Sequence, residues 1–156
     1  MKISKLFFSL ILFTFAFANT SYSQKCHEFH KSSNCKVSGV AGFKLSSLSR
    51  SHYLEVGKTL TYEVVLYGQK EIIIQCCTEE KYYPLRFKLK SSINGDVIYD
   101  NKYDNYINTI SLSLDRTELI SIEITIVSTE ENVSVLEGTK ACVGMAIYTE
   151  NEKVRQ

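Results

Sequence analysis

The stretch "PLRFKLKSSINGDVIYD", Pro84 to Asp100, has the sequence of two β-strands joined by a tight turn. Basic residues alternate in its first half with apolar ones, at Leu85, Phe87 and Leu89. This period of two is typical of a strand with one buried face. Asn94-Gly95 then supplies the dipeptide that most strongly favours a hairpin turn. The stretch therefore predicts a β-hairpin that contributes one face to a core.

The same alternation recurs farther along the chain, in "INTISLSL" (107–114) and "LISIEITIV" (119–127). Other runs that fit short strands are "GFKLSSL", "TLTYEVVLY", "EIIIQCC" and "CVGMAIYT". In "YEVVLY" and "EIIIQC" the apolar residues are consecutive, which predicts strands covered on both sides, and Gly68 to Lys70 between them has the length of a hairpin turn. About eight short strands without an ordinary helix predict an all-β fold, an antiparallel, jelly-roll-like β-sandwich. A short helical turn is expected near the mature N-terminus, in "KCHEFHKSSNC" (25–35).

Residues 1–23 have the layout of a signal peptide. Lys2 and Lys5 precede the apolar run "LFFSLILFTFAFA", and small residues follow it up to a cleavage point after Ser23. A retained membrane anchor is the alternative, but roughly 20 apolar residues are needed to span a bilayer. Cleavage leaves residues 24–156 as a single β-sandwich domain with no membrane span, exported to the periplasm or the extracellular space.

The cysteines are expected to form disulfides, because exported proteins fold in oxidising compartments. They are Cys26, Cys35, Cys76, Cys77 and Cys142. Cys26 and Cys35 are placed to close a short loop, with Cys142 reaching Cys76 or Cys77, although spacing alone leaves the connectivity open. Because their number is odd, one thiol is left over, and we expect it to be buried or blocked.

The charge balance argues against nucleic acid as a partner. The whole chain carries 18 basic and 17 acidic residues, and loss of Lys2 and Lys5 with the signal peptide leaves the mature chain about one charge negative. No basic cluster is available to neutralise phosphates. The sequence also lacks a glycine-rich phosphate loop, and we expect no cofactor.

Catalytic and metal motifs are weak in this sequence. An enzyme with a site built from Cys26, His27 and His30 is one hypothesis, but a disulfide at Cys26 would remove the thiolate nucleophile. The set Cys26, His27, His30 and Cys35 has the residue types of a zinc site. Its spacing matches no recognised ligand pattern, so we expect no metal and no enzymatic activity.

The segment after the predicted hairpin is the candidate ligand-binding loop. This segment combines carboxylate and amide side chains with tyrosine rings that are expected to be exposed. The candidate ligand-binding residues are Asp100, Asn101, Tyr103, Asp104 and Tyr106. An EF-hand requires oxygen ligands at alternate positions and glycine at the sixth, which this segment lacks. One remaining hypothesis is a calcium ion bound by oxygen ligands from several loops. Another is a sugar that stacks on a tyrosine ring. The alternative is a simple turn, because Asp and Asn side chains hydrogen-bond to local backbone and end strands.

The order "VGKTLTYEVVLYGQKEIIIQCC…PLRFKLKSSINGDVIYDN", with "ACVGMAIY" near the end, resembles small exported β-sandwich proteins of Bacteroidota. It is also broadly similar to the bacterial pre-peptidase C-terminal domain. These resemblances imply a sandwich fold in the cell envelope and supply no catalytic residues. We therefore predict a non-enzymatic recognition or accessory module, in the bacterial envelope or outside the cell, with a protein or glycan partner. The alternative is a calcium- or glycan-binding module that uses the loop from Asp100 to Tyr106.

Overall fold

The computed structural model describes residues 26–127 and 138–151, so the predicted signal peptide lies outside the described residues. Four short 3-10 turns and nine strands make up this part of the chain. The strands are β1 (Phe43–Leu45), β2 (Arg50–Glu55), β3 (Thr59–Leu66), β4 (Glu71–Thr78), β5 (Leu85–Ser91), β6 (Val97–Asp100), β7 (Thr109–Ser113), β8 (Glu118–Ile126) and β9 (Lys140–Glu150). In these ranges no helix is long and apolar enough to cross a membrane.

The strands form two antiparallel sheets. Sheet one has the order β1-β9-β4-β7, and β2 also pairs with β9. Sheet two has the order β3-β8-β5-β6. The predicted Asn94-Gly95 hairpin is confirmed, since β5 and β6 pair antiparallel on either side of it. The all-β sandwich class is confirmed as well.

The core lies between the two sheets and is built from alternate residues of each strand. In β8 every second residue is a fully buried isoleucine, and in the neighbouring β5 Phe87 pairs with Ile124 and Leu89 with Ile122. Sheet one supplies the opposite wall from Ile72, Ile74, Met145 and Ile147. Burying a large apolar side chain contributes roughly 1.5–3 kcal/mol, so this layer is a major source of stability.

One strand was not predicted from the sequence, and one connection between strands was wrong. Strand β2 was not expected, because its sequence "RSHYLE" is polar and follows no clean alternation; it forms at the sheet edge by pairing with β9. The segment Gly68 to Lys70 is not a hairpin turn, since it joins β3 in sheet two to β4 in sheet one. A Cβ at Gly68 would collide with the backbone of Arg116, so the corner requires glycine.

Consecutive apolar residues had predicted that β3 and β4 are both covered on two sides. Strand β4 is central in sheet one, and Cys76 and Cys77 of its two faces are both fully buried. Strand β3 instead pairs within the described residues only with β8, and Val65 on its outer side is 43% exposed. The run of apolar residues therefore marks a covered strand in one case and a sheet edge in the other.

The N-terminal segment covers the outer face of sheet one. The expected short helical turn is present as two 3-10 turns, Phe29–Lys31 and Ser33–Cys35. Disulfides fix the segment at both ends, joining Cys26 to Cys142 in β9 and Cys35 to Cys77 in β4. The expected Cys26–Cys35 loop was wrong, because these cysteines bond to the sheet beneath them and not to each other.

Gly144 allows this segment to lie close to the sheet. It lies in β9 opposite Cys77, and a Cβ there would come within 2.7 Å of the Sγ atoms of Cys35 and Cys77. The same Cβ would be 2.9 Å from Cα of His30. The absence of a side chain at this position therefore makes room for both the disulfide and the first turn.

Cys76 is the leftover thiol, and it is fully buried in the core between the sheets. Its burial raises the pKa of the thiol, so it stays protonated and unreactive. The prediction of a buried leftover cysteine is confirmed.

Candidate functional site

The candidate loop follows β6 at the edge of sheet two, and its first residues are turned into the fold. Asn101 is fully buried. Its Oδ1 accepts a hydrogen bond from the Phe87 amide at 2.9 Å, and its Nδ2 donates to the carbonyls of Leu85 at 2.9 Å and Ile107 at 3.0 Å. One side chain thus ties both ends of the loop to β5. Both of its N–H donors are used within the fold.

Asp100 forms an ion pair with Arg86 of β5. Arg86 donates from Nε to Oδ1 at 3.0 Å and from Nη2 to Oδ2 at 2.5 Å, and the Lys102 amide donates to Oδ1 at 3.1 Å. The hydrogen bonds from Arg86 lower the pKa of the Asp100 carboxyl. Asp100 and Asn101 therefore make structural contacts within the fold, as the turn alternative expects, and their ligand-binding role stays a prediction.

The Asp100 ion pair gives stability a defined pH dependence. Because the folded pKa is below the ordinary value of 3.8, the pair stabilises the chain above that pH, and the stabilisation is lost as the pH falls through the lowered pKa. We expect Asp100→Asn to reduce the free energy of unfolding by about 1 kcal/mol near neutral pH. The difference from wild type should vanish in strong acid.

Denaturant unfolding of both chains across this pH range measures the effect. Asp104→Asn, an exposed carboxylate in the same loop, is the matched control. A difference that stays constant down to strong acid would contradict the ion-pair interpretation.

The second half of the loop faces solvent. Tyr103 is 85% exposed. Asp104 is exposed and accepts a hydrogen bond from the Tyr99 hydroxyl at 3.0 Å, while Tyr106 is half-buried. Asn105 and Tyr106 have positive φ values of 50° and 56°, which non-glycine residues rarely adopt. The anchored first half therefore holds an exposed tyrosine on a constrained backbone.

Exposed apolar residues are concentrated around this loop. Of the ten large hydrophobic residues exposed in the described chain, five lie between positions 93 and 107. We call these five the β6 surface: Ile93, Val97, Ile98, Tyr103 and Ile107. They belong to the hairpin turn, to edge strand β6 and to the loop after it. Exposed apolar residues beside an edge strand are candidates for contact with a partner.

The alternative sites proposed at the N-terminus are contradicted by the disulfides. Cys26 is bonded to Cys142 and has no thiol for nucleophilic attack. Cys35 is bonded to Cys77, so the four-residue zinc set lacks both thiolates. Within residues 26–127 and 138–151, no group of three or more His, Cys, Asp or Glu side chains is placed to hold a metal ion.

Comparison with known proteins adds a structural likeness. No family model and no curated protein matches the chain. Among solved structures, the fold is similar to that of PliG from Aeromonas hydrophila, a periplasmic inhibitor of g-type lysozyme, with a TM-score of 0.48 and 11% sequence identity. The match covers 73% of this chain and 93% of that one. The resemblance to Bacteroidota sandwich proteins and to the pre-peptidase C-terminal domain stays a prediction.

Proposed function

We propose that the protein is an exported, non-enzymatic recognition module that binds a protein partner through the β6 surface. The carrying observation is that half of the large hydrophobic residues exposed in the described part of the chain lie in one segment, positions 93 to 107. A protein partner fits these side chains better than a glycan, because four of the five are aliphatic and offer no planar ring for a sugar. Export is supported by the two disulfides, which persist in oxidising compartments.

The contacts that hold the loop of the β6 surface to the sheet beneath it are consistent with a binding role. Buried Asn101 and the Arg86–Asp100 ion pair hold the loop to β5, and Phe87 packs on Tyr99 with ring centroids 5.5 Å apart. A tyrosine held by a constrained backbone loses little conformational entropy when a partner covers it. Aromatic anchors of this kind dominate the energy of many interfaces.

We expect Tyr103→Ala combined with Ile98→Ser to weaken partner binding about tenfold or more, since loss of an interface hot spot costs about 2 kcal/mol. The wild-type chain, carrying an affinity tag, is used to capture partners from the extracytoplasmic fraction of its source. Binding of the captured partner is then compared between wild type and variant by surface plasmon resonance.

Tyr67→Ala is the matched control, because Tyr67 is 61% exposed and lies outside the β6 surface. Equal binding by wild type and the double variant would contradict the proposal. So would a loss of binding in Tyr67→Ala alone. Of the five residues on which the calcium- or glycan-binding alternative depends, Tyr103, Asp104 and Tyr106 lie in the solvent-facing half of the loop. This alternative stays a prediction.

A further inference from the structure

A cavity of about 180 Å³ lies between the last residues of β3 in sheet two and strands β1, β9 and β4 of sheet one. We call it the end pocket and define it by six of its lining residues: Lys44, Ser46, Leu48, Leu66, Ile72 and Thr149. None of the five residues of the β6 surface lines it. The end pocket is therefore a second site, separate from the proposed partner surface.

The register of sheet one directs three side chains toward the end pocket. Thr149 of β9 pairs with Lys44 of β1 on one side and with Ile72 of β4 on the other. Residues that lie directly opposite each other in antiparallel strands place their side chains on the same face of the sheet. Ile72 is 1% exposed and belongs to the core between the sheets, so this shared face is the inner one. Lys44 and Thr149 therefore converge on the cavity beside Ile72.

The floor of the end pocket is aliphatic. Leu66 of β3 is 1% exposed and closes the cavity from sheet two, and half-buried Leu48 packs against the same core as Ile72. An apolar cavity of about 150 Å³ is large enough to hold benzene. The end pocket therefore has room for one six-carbon ring, and burial of that ring is favourable because it removes apolar surface from water.

The rim of the end pocket carries hydrogen-bond donors. The ammonium of Lys44 is at an exposed position. Ser46 Oγ accepts a hydrogen bond from the Leu48 amide at 3.2 Å, which leaves the hydroxyl proton available to donate. Half-buried Thr149 adds a second hydroxyl between the lysine and the apolar floor. A cation and two hydroxyls thus border one apolar cavity.

The charges around the end pocket favour an anion over a cation. The charged side chains among its described lining residues are Lys44, Lys70 and Glu150, which sum to one positive charge. Glu150 follows Thr149 along β9 and pairs with Phe43. Because side chains alternate along a strand, the Glu150 carboxylate is directed toward the outer face of sheet one, away from the side that Lys44 shares with Thr149.

We propose that the end pocket binds a small monocarboxylic acid whose apolar part is about the size of one ring. The ring lies on the aliphatic floor, and the carboxylate accepts a charge-assisted hydrogen bond from the Lys44 ammonium. An apolar cavity with a few placed polar groups is the usual form of a small-molecule site, and the small volume of this one limits the ligand to a single ring.

Phenylacetate is the probe, and its neutral amide, phenylacetamide, is the matched ligand of the same shape. Binding to the isotope-labelled protein is followed through backbone amide chemical shifts. We expect shifts at Ser46, Leu66 and Thr149, and about fivefold tighter binding of the acid than of the amide, in the range of one partly exposed ion pair. Acetate, which lacks the ring, should bind more weakly than either.

Lys44→Ala should weaken the binding of phenylacetate about fivefold and leave the affinity for phenylacetamide unchanged, since only the carboxylate meets the ammonium. Lys58→Ala is the matched control, because Lys58 is an exposed lysine just before β3, at the end of the strand opposite Leu66. It should leave both affinities unchanged. Both lysines are exposed, so both variants are expected to fold, which thermal unfolding verifies.

Equal affinity of the wild type for phenylacetate and phenylacetamide would overturn the assignment to an acid. An equal loss in Lys58→Ala, or shifts confined to residues outside the end pocket, would overturn the site. Tighter, equally Lys44-dependent binding of benzylphosphonate would overturn the choice of a carboxylate. The Tyr103→Ala and Ile98→Ser double variant should bind phenylacetate normally, so this test is independent of the test of the β6 surface.

Discussion

Removing either disulfide is expected to lower the free energy of unfolding by about 4 kcal/mol. The Cys35–Cys77 bond closes a loop with a sequence separation of 42, and the Cys26–Cys142 bond one of 116. Cross-linking residues this far apart removes much of the conformational entropy of the unfolded chain. Since small domains have a total stability of roughly 5–15 kcal/mol, the loss of one bond is a large fraction of it.

The experiment replaces Cys35 and Cys77 together with alanine, because both sulfurs are buried and a serine hydroxyl would lack partners there. Cys76→Ala is the matched control: it neighbours Cys77, leaves both bonds intact and should cost only a small cavity. Denaturant unfolding without reductant measures the difference. A loss no larger in the double variant than in the control would contradict the role assigned to the bond.

Thiol counting gives an independent check. The unreduced, denatured wild-type chain should show one reactive thiol, from Cys76.

The two loops closed by the disulfides are nested, since residues 35–77 lie within residues 26–142. Removing both bonds should therefore cost more than the sum of the separate losses, because in each single variant the remaining bond still restricts part of the same unfolded segment.

Replacing Asn101 with alanine is expected to reduce the free energy of unfolding by about 3 kcal/mol or more. The change leaves the Phe87 amide and the carbonyls of Leu85 and Ile107 without their side-chain partner. Asn101 itself is fully buried, so water does not readily replace these bonds. Each unsatisfied buried group costs about 1–3 kcal/mol.

Lys102→Ala, at an exposed position next to Asn101, should change stability by no more than about 0.5 kcal/mol. Urea unfolding of both variants at neutral pH provides the comparison. Because the loop carries Tyr103, Asn101→Ala should also weaken binding at the β6 surface while the rest of the sandwich stays folded. A stability loss below about 1 kcal/mol would show that the loop is not held by this side chain.

The positions of several strands and of one turn were predictable because they depend on local sequence periodicity. The alternation in β5, β7 and β8 and the Asn94-Gly95 turn all appear in the structure where the sequence placed them. What periodicity missed was β2, whose polar residues form a strand only because β9 lies beside them. The sheet assignment of β3 and β4 was also missed, since a turn of hairpin length can equally change sheets.

The candidate loop follows β6, as the sequence predicted, but the contacts of its first residues were not predictable. Aspartate and asparagine after a strand have the same sequence signature whether they bind a ligand or cap a turn. Only the fold shows that Asp100 meets Arg86 and that Asn101 meets the backbone of β5.

By itself, the sequence determined that this chain folds into an antiparallel β-sandwich with one cysteine left over. Alternation, turn dipeptides and residue counts are local properties, and local chemistry is enough to set them. The tertiary structure alone decided which cysteines pair and which polar side chains face solvent. Those outcomes depend on contacts such as Cys35 with Cys77 across Gly144, whose partners meet only after the sheets have formed.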